Sequence, residues 1–250
     1  MSVCYFLSDL HLKGRSDKNY EKLIHFFEVT WQSKPGDVIL LGDIFDLWVA
    51  DHSLFISEYK ELIEYLKKTK SKNYRVLYFE GNHDLHLDKF WSQTLGFEVI
   101  PDLTFIRWDN LVFRLEHGDL INQEDKAYLK LRKFLRSPIM TWLAFVLPGF
   151  FWNYLGKKWS SASRKKSQIY SAEKISWIRD LIRQHAQKQI ETQYFDVIVT
   201  GHMHVRDEFH FLFQGKNITS YNLGSWQEEQ KILVYQQSSP NFSWLDLNII

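Results

Sequence analysis

The chain is poor in cysteine, with one, Cys4, among 250 residues. A lone cysteine excludes an intrachain disulfide and a cysteine-rich structural zinc site. Its place inside an apolar run, VCYFL, reads as a buried core thiol, which is compatible with a reducing compartment. Net charge is nearly absent too. The 31 Lys and Arg against 30 Asp and Glu leave +1, so the chain as a whole is not a polyanion binder. Internal repeats and low-complexity tracts are missing. So is a basic, cleavable leader: Met1 leads almost directly into an apolar run, and no signal peptide is expected. With 45% hydrophobic and 24% charged residues, the length fits one large domain or two small ones, cored without disulfides.

One regional absence is sharper. From Lys126 to Lys166 there are ten Lys or Arg and no Asp or Glu. Within that basic frame, Ser137–Gly156 runs for twenty residues without a charge. Length alone would permit a membrane span. Against one, Pro148-Gly149 interrupts the run, and basic residues flank both ends, leaving no positive-inside asymmetry. A span would also separate His117 from His202, which the motifs below need together. An interfacial or substrate-covering helical insertion is expected instead.

Outside that insertion the pattern is regular. Residues 3–7 read as a buried strand, 18–31 as a helix, 37–41 as a strand, 54–69 as a helix and 74–79 as a strand. This alternation indicates α/β units with right-handed crossovers. Short strands are expected at about 98–107 and 110–117, joined by an Asp109-Asn110 turn. Beyond residue 172 a helix precedes a strand at 195–200. Four short strands near 206–213, 217–222, 231–236 and 242–247 suggest an antiparallel finish. Two mixed sheets packed face to face, with outer helices, are expected.

Five strand-like runs each end in a chemically loaded motif: Asp9-Leu10-His11, Gly42-Asp43, Gly81-Asn82-His83-Asp84, His117-Gly118-Asp119 and Gly201-His202-Met203-His204. Alone, His-x-His or Gly-Asp is weak evidence. Together they deliver two carboxylates, one amide and four imidazoles to strand ends, the donor set of two cations of intermediate softness such as Mn, Fe, Co or Zn. Calcium would need more carboxylates. Asp43 can bridge two cations with its two oxygens. Such a pair clamps a phosphate and acidifies a water. Beside Asn82, His83 is placed to protonate a leaving oxygen or brace the phosphate, and Asp84 to orient an imidazole. Asp119 reads as a hydrogen-bond acceptor that fixes its loop. The other histidines, His25, His52, His86, His185 and His210, lack such context and read as surface or core.

The motif set resembles the calcineurin-like metallophosphoesterase superfamily. The resemblance implies a four-layered α/β/β/α sandwich. It also implies one cation held by Asp9, His11, Asp43 and His204, and a second by Asp43, Asn82, His117 and His202. A narrower similarity spans nearly the whole chain. SDLHL, LGDIFDLWVAD, the insertion after the HGD motif and NLGSW (222–226) resemble the UDP-2,3-diacylglucosamine pyrophosphatase family of lipid A synthesis in Gram-negative bacteria. It implies metal-dependent hydrolysis to UMP and 2,3-diacylglucosamine 1-phosphate, typically with manganese. It divides the chain into a core, 1–119 and 172–250, and a helical lid, 120–171, that houses acyl chains. It further implies a cytoplasmic enzyme, peripheral on the inner membrane, with a lipid-linked nucleotide substrate, no nucleic acid and no obligate protein partner. Asn82, His83 and His202 would face that substrate, with Asp125 at the start of the lid and Ser163 and Lys166 near its end.

The residues of the insertion suit this reading. Trp142, Phe145, Phe150, Phe151, Trp152 and Trp159 can line an acyl cleft or enter a bilayer interface. Lys157-Lys158 and Arg164-Lys165-Lys166 can meet phosphates or anionic headgroups. The chain departs from the best-known members of the narrower family at His83, where they carry Arg, and at Ala50, where Gly is commoner. GNHD is the usual superfamily form. Two alternatives therefore stay open: a related phosphoesterase acting on another phosphodiester or nucleic acid, and a non-catalytic membrane scaffold on the same fold.

Overall fold

A computed structural model describes residues 3–156, 170–237 and 241–249. Ser163, Lys166, Trp159 and the basic clusters at 157–158 and 164–166 lie outside these. The elements follow in order: β1 (Val3–Leu7), α1 (Lys18–His25) continued by a wider π-type stretch (Phe26–Trp31), β2 (Asp37–Leu40) and β3 (Trp48–Val49). Next come α2 (Ser53–Glu58), α3 (Lys60–Ser71), β4 (Val76–Phe79), β5 (Asp84–Leu85) and a second π-type stretch (Asp88–Thr94). Then follow β6 (Glu98–Ile100), β7 (Leu103–Trp108), β8 (Leu111–Glu116), α4 (Lys126–Leu135), α5 (Pro138–Val146) and α6 (Gly149–Gly156). The chain closes with α7 (Ala172–Thr192), β9 (Val197–Thr200), β10 (Asp207–Phe213), β11 (Lys216–Asn222), β12 (Lys231–Gln236) and β13 (Asn241–Asp246).

Two sheets result, ordered β13-β12-β1-β2-β4-β6 and β10-β11-β9-β8-β7, with a small β3-β5 pair beside them. The strands of the first sheet are apolar on both faces because both faces are covered. Along β1, Val3, Tyr5 and Leu7 join the helix-side core with Phe26, Phe27, Leu62 and Leu66. Cys4 and Phe6 point the other way, into a core shared with Phe113, Leu115, Val197 and Val199 of the second sheet. Burial pushes the Cys4 thiol up to about 12, as befits an inert core residue. The outer face of the second sheet packs Ile198 and Ile218 under Ala186 and Ile190 of α7. The layers are thus α/β/β/α.

Register places the chemistry. β1, β2 and β4 run parallel, pairing Leu7 with Leu40 and Leu40 with Tyr78, so they end at one edge. β8 and β9 run parallel in the second sheet, pairing Leu115 with Val199, so these two strands also end together. Every motif emerges from a carboxyl end of these strands, where open α/β sheets bind ligands.

Three expectations change. The helix over 54–69 is broken at Tyr59, whose hydroxyl donates to Leu12 O at 2.7 Å and whose ring meets Phe45 at 4.3 Å; tertiary contacts outweigh the helical period there. The strand at 98–107 is two. β6 lies parallel to β4, and after the Pro101-Asp102 step β7 crosses to the other sheet and forms the Asp109-Asn110 hairpin with β8. The C-terminal strands form two antiparallel pairs in different sheets, and β11 is parallel to β9.

Helices α5 and α6 lie against the core through Met140, Ala144 and Trp152, and α4 through the partly buried Leu135. Among the described residues no single helix is long and apolar enough to cross a membrane; α5 and α6 reach that length only as a pair bent by 114°. His52 holds α5 to the core by donating to Ala144 O at 2.8 Å.

Phe113 is fully buried between the sheets, with its ring 4.9 Å from Trp108 and 5.0 Å from Tyr235. Phe113→Ala is expected to lower the unfolding free energy by about 3–5 kcal/mol in urea titrations. A loss below ~1 kcal/mol would show that the intersheet core does not carry the fold.

Candidate metal centre

The ligand-type residues meet in two adjoining clusters. In the first, His11 Nε2 lies 3.1 Å from His204 Nε2, and His204 Nε2 lies 3.2 Å from Asp9 Oδ1. In the second, His117 Nε2 lies 3.4 Å from Asn82 Oδ1 and 3.2 Å from His202 Nδ1. Asp43 stands between them: its Oδ2 is 3.9 Å from His11 Nε2 and its Oδ1 is 3.6 Å from His117 Nε2. All seven residues singled out as metal ligands fall in this one place, in two groups that share Asp43.

The donor set is what a cation pair requires. His117 Nδ1 donates to Leu41 O at 2.7 Å, which leaves Nε2 as the nitrogen that can take a metal; burial opposes a second proton on this ring, but the Asp43 and Asp9 carboxylates outweigh it and raise its pKa. That nitrogen faces the carbonyl oxygen of Asn82 and a carboxylate oxygen of Asp43, both acceptors. These acceptors converge on a place that positive charge must fill, a divalent cation or a proton on His117 that the cation displaces. Asp9 Oδ1 adds to this: it is buried and no hydrogen-bond donor among the described residues is aligned on it. The residues therefore fit two divalent cations, and the nitrogen and oxygen donors suit Mn, Fe, Co or Zn. Burial lowers His11 to about 3 and His202 to about 4, keeping both imidazoles neutral. Burial alone would raise Asp43, yet His117, whose own pKa the carboxylates raise, leads the surrounding groups that hold it below the ordinary carboxylate range.

The local backbone is bent to achieve this. Asp9, His11, Asp43, His202 and His204 all have φ between 47° and 65°. Left-handed conformations cost L-residues about 1–2 kcal/mol each, and such strain gathers at functional sites. Asp9 is held by two contacts on Oδ2, from Ser8 Oγ and from His202 N at 2.8 Å. Two glycines are needed for close approach. A Cβ on Gly81 would stand 2.1 Å from Asp43 Oδ1, and one on Gly201 would stand 2.5 Å from Asp9 Oδ2.

Other expected residues have different partners. Asp84 is buried away from any imidazole: its carboxylate accepts from Ile44 N at 2.7 Å, Phe45 N at 3.2 Å and Tyr78 OH at 2.8 Å. It braces the loop after Asp43 rather than orienting a histidine. Burial and nearby Asp43 raise its pKa. His83 Nδ1 donates to Asp46 O at 2.8 Å, which leaves Nε2 as its remaining nitrogen. Asp125 caps α4, accepting from Tyr128 N at 2.9 Å. Asp119 does fix its loop, but its donors, Tyr128 and Arg132, come from α4. His185 is buried and hydrogen-bonded to Glu116.

Sequence reasoning missed Tyr128, whose ring lies 5.3 Å from that of His202. The available signal was the four-residue step from Tyr128 to Arg132 on one helix face. It also missed Asp46. Asp46 and Tyr128 line an apolar cleft of about 510 Å³ together with Asn82, His83, Leu131, Leu135, Met140, Trp152 and Leu155. Trp152 therefore lines this cleft. Trp142 and Phe150 face outward, 62% and 69% exposed, and Phe145 packs beneath Lys89, 5.1 Å from its ammonium.

The profile of the calcineurin-like phosphoesterase family matches residues 4–206, and the chain belongs to that family. A UDP-2,3-diacylglucosamine hydrolase of Photobacterium profundum is 27% identical over 92% of this chain and 91% of its own. One from Neisseria gonorrhoeae is 26% identical over 92% of both chains. One from Psychromonas ingrahamii is 25% identical over 94% of both. The protein is a metal-dependent phosphoester hydrolase.

Gly81→Ala is expected to push Asp43 off its bridging position. Bound divalent metal, read by mass spectrometry after dialysis, should fall from about two ions per chain, with affinity down about 10–100-fold and circular dichroism unchanged. An unaltered two-ion content would contradict the bridge.

Proposed function

We propose that this calcineurin-like phosphoesterase hydrolyses the pyrophosphate bond of UDP-2,3-diacylglucosamine, releasing UMP and 2,3-diacylglucosamine 1-phosphate for lipid A synthesis. Manganese is the proposed native metal, and the cytoplasmic face of an inner membrane the proposed location. One observation carries the reading: a single cleft is walled both by Asn82 and His83 of the metal centre and by Leu131, Leu135, Met140, Trp152 and Leu155. A substrate that fits it is phosphorylated at one end and greasy at the other. The relatives named as UDP-2,3-diacylglucosamine hydrolases support the same substrate.

When bound, the cation pair supplies Lewis-acid polarisation of the phosphate and an acidified water. Asp43 holds the two halves of the centre in register. Asn82 and His83 face the cleft, where they would bind and orient the phosphate. With Nδ1 of His83 donating to Asp46 O, a second proton on Nε2 makes the ring an imidazolium, which can hand that proton to the oxygen leaving phosphorus, as an Arg at this position could not do. Water adds to one phosphorus, the P–O–P bridge breaks, and each product keeps one phosphate. The apolar walls exclude bulk water from the acyl side.

Among the described residues no Lys or Arg lines the cleft, whereas a phosphate backbone needs cations along its path, so those residues favour a greasy ligand over nucleic acid. Membrane contact is supported by the outer faces of α5 and α6. Ile139, Trp142 and Phe150 are each more than 60% exposed, and α4, which precedes these helices in the chain, carries Lys126, Lys130 and Lys133. Such a face suits an anionic bilayer surface.

Manganese-loaded protein should release UMP from UDP-2,3-diacylglucosamine in detergent micelles; no UMP with two ions bound would end this reading. Trp152→Ser should lower kcat/KM about tenfold for long acyl chains and little for short ones, and equal loss on both would contradict an acyl cleft. The protein should also sediment with anionic vesicles, and Trp142→Ser combined with Phe150→Ser should abolish this. Unchanged sedimentation would remove the membrane contact.

A further inference from the structure

The helix after the His117-Gly118-Asp119 loop is fastened back onto that loop by its own side chains. Asp119 Oδ2 accepts from Tyr128 OH at 3.1 Å and from Arg132 Nε at 2.6 Å. Tyr128 and Arg132 are four residues apart on α4 and share one face. The other arm of Arg132 pairs with Asp102, in the step between β6 and β7. One turn on, Arg136 donates to Pro101 O at 2.6 Å and pairs with Glu80 Oε2 at 3.3 Å, just ahead of Gly81-Asn82. Two guanidinium forks thus tie a single helix to the loops carrying His117 and Asn82, ligands from different sheets.

The Arg132–Asp119 pair is shielded, with side chains only 17% and 7% exposed. It is a short, charge-assisted contact, and loss of one partner would strand the other charge in a poorly hydrated place. Its position has a direct effect on the cleft. The Tyr128 ring stands against His202, while Tyr128, Leu131 and Leu135 form the α4 wall of the apolar cleft. The rotation and height of α4 therefore set where the greasy wall stands relative to the phosphate end.

We infer that Arg132 is a positioning residue: through Asp119 and Tyr128 it holds α4 in register with the metal centre and so couples the apolar cleft to the reacting end. This rests on the proposed lipid-linked substrate for its kinetic consequence, though not for its structural one. A small diester needs only the metals, whose ligand His117 stays held by Leu41 O when the clasp is lost, so its turnover changes little. A substrate with acyl chains needs the wall in place. Lysine at 132 keeps the charge but cannot reach Asp119 and Asp102 with one planar fork, so it restores function in part.

The test uses full-length, manganese-loaded protein as wild type, Arg132→Gln and Arg132→Lys. Each is assayed on bis(p-nitrophenyl) phosphate and on UDP-2,3-diacylglucosamine in micelles, with amide hydrogen exchange of α4 measured alongside. For Arg132→Gln, KM for the lipid substrate should rise about tenfold while diester turnover stays within about twofold. Amides of α4 should exchange about tenfold faster. Arg132→Lys should fall between Arg132→Gln and wild type on both readouts. Parallel loss on both substrates, or unchanged KM with unchanged exchange, overturns the proposal. If Arg132→Gln does not fold, Asp102→Asn, on the exposed side of the clasp, must shift KM and exchange in the same direction, and no shift overturns it. Should the wild type cleave the diester but not the lipid nucleotide, the substrate reading falls. Exchange of α4 then decides the clasp: faster exchange in Arg132→Gln supports it, and unaltered exchange overturns it.

Discussion

Everything in this molecule is arranged around ligand atoms that face one another and call for positive charge between them. His117 Nε2, Asn82 Oδ1 and the two oxygens of Asp43 converge from both sheets in a buried space, and Asp9 Oδ1 joins them without an aligned donor. In the absence of positive charge such lone pairs repel. The fold tolerates the arrangement because parallel strands from two sheets stop beside each other, and because glycines at 81 and 201 let one loop press on the next. Five left-handed residues among the seven ligands add strain that the packed sheets hold in place.

That rigid centre sits next to a softer construction. Helices α4–α6 offer apolar side chains inward to the cleft and outward to solvent, and Met140, Ala144 and Trp152 anchor them in the main core. Polar chemistry and apolar binding meet at Asn82 and His83. An amphiphile with its phosphate at the strand ends and its chains under the helices uses both. His83 takes part in this division. Its Nδ1 is committed to Asp46 O, so one nitrogen remains for the substrate.

Ligand identity was legible in the chain because residue type and spacing carry it: Asp-x-His, Gly-Asp and His-x-His after β-rich runs need strand ends and nothing else. The layered architecture followed from runs such as VCYFL, whose two apolar faces demand cover on both sides. Pairing was less legible. Hydrophobic alternation marks β6, β7 and the last four strands, yet the Pro101-Asp102 step and the return of β12 to the first sheet are settled by tertiary packing. The break at Tyr59 depends on a hydroxyl reaching Leu12 O, 47 residues away. Asp84 shows a different limit. A carboxylate beside a motif looks chemical in sequence, and only its donors reveal a loop brace. Tyr128 and Arg132 were hidden because a basic, aromatic helix suggests outside partners before inside ones.

The most direct measurement is anomalous diffraction from crystals grown with manganese. Two peaks are expected, about 3.5–4 Å apart, with Asp43 between them, Asp9, His11 and His204 around one, and Asn82, His117 and His202 around the other. A single peak, or none at full manganese occupancy of the solution, would contradict the paired-cation centre on which the account stands.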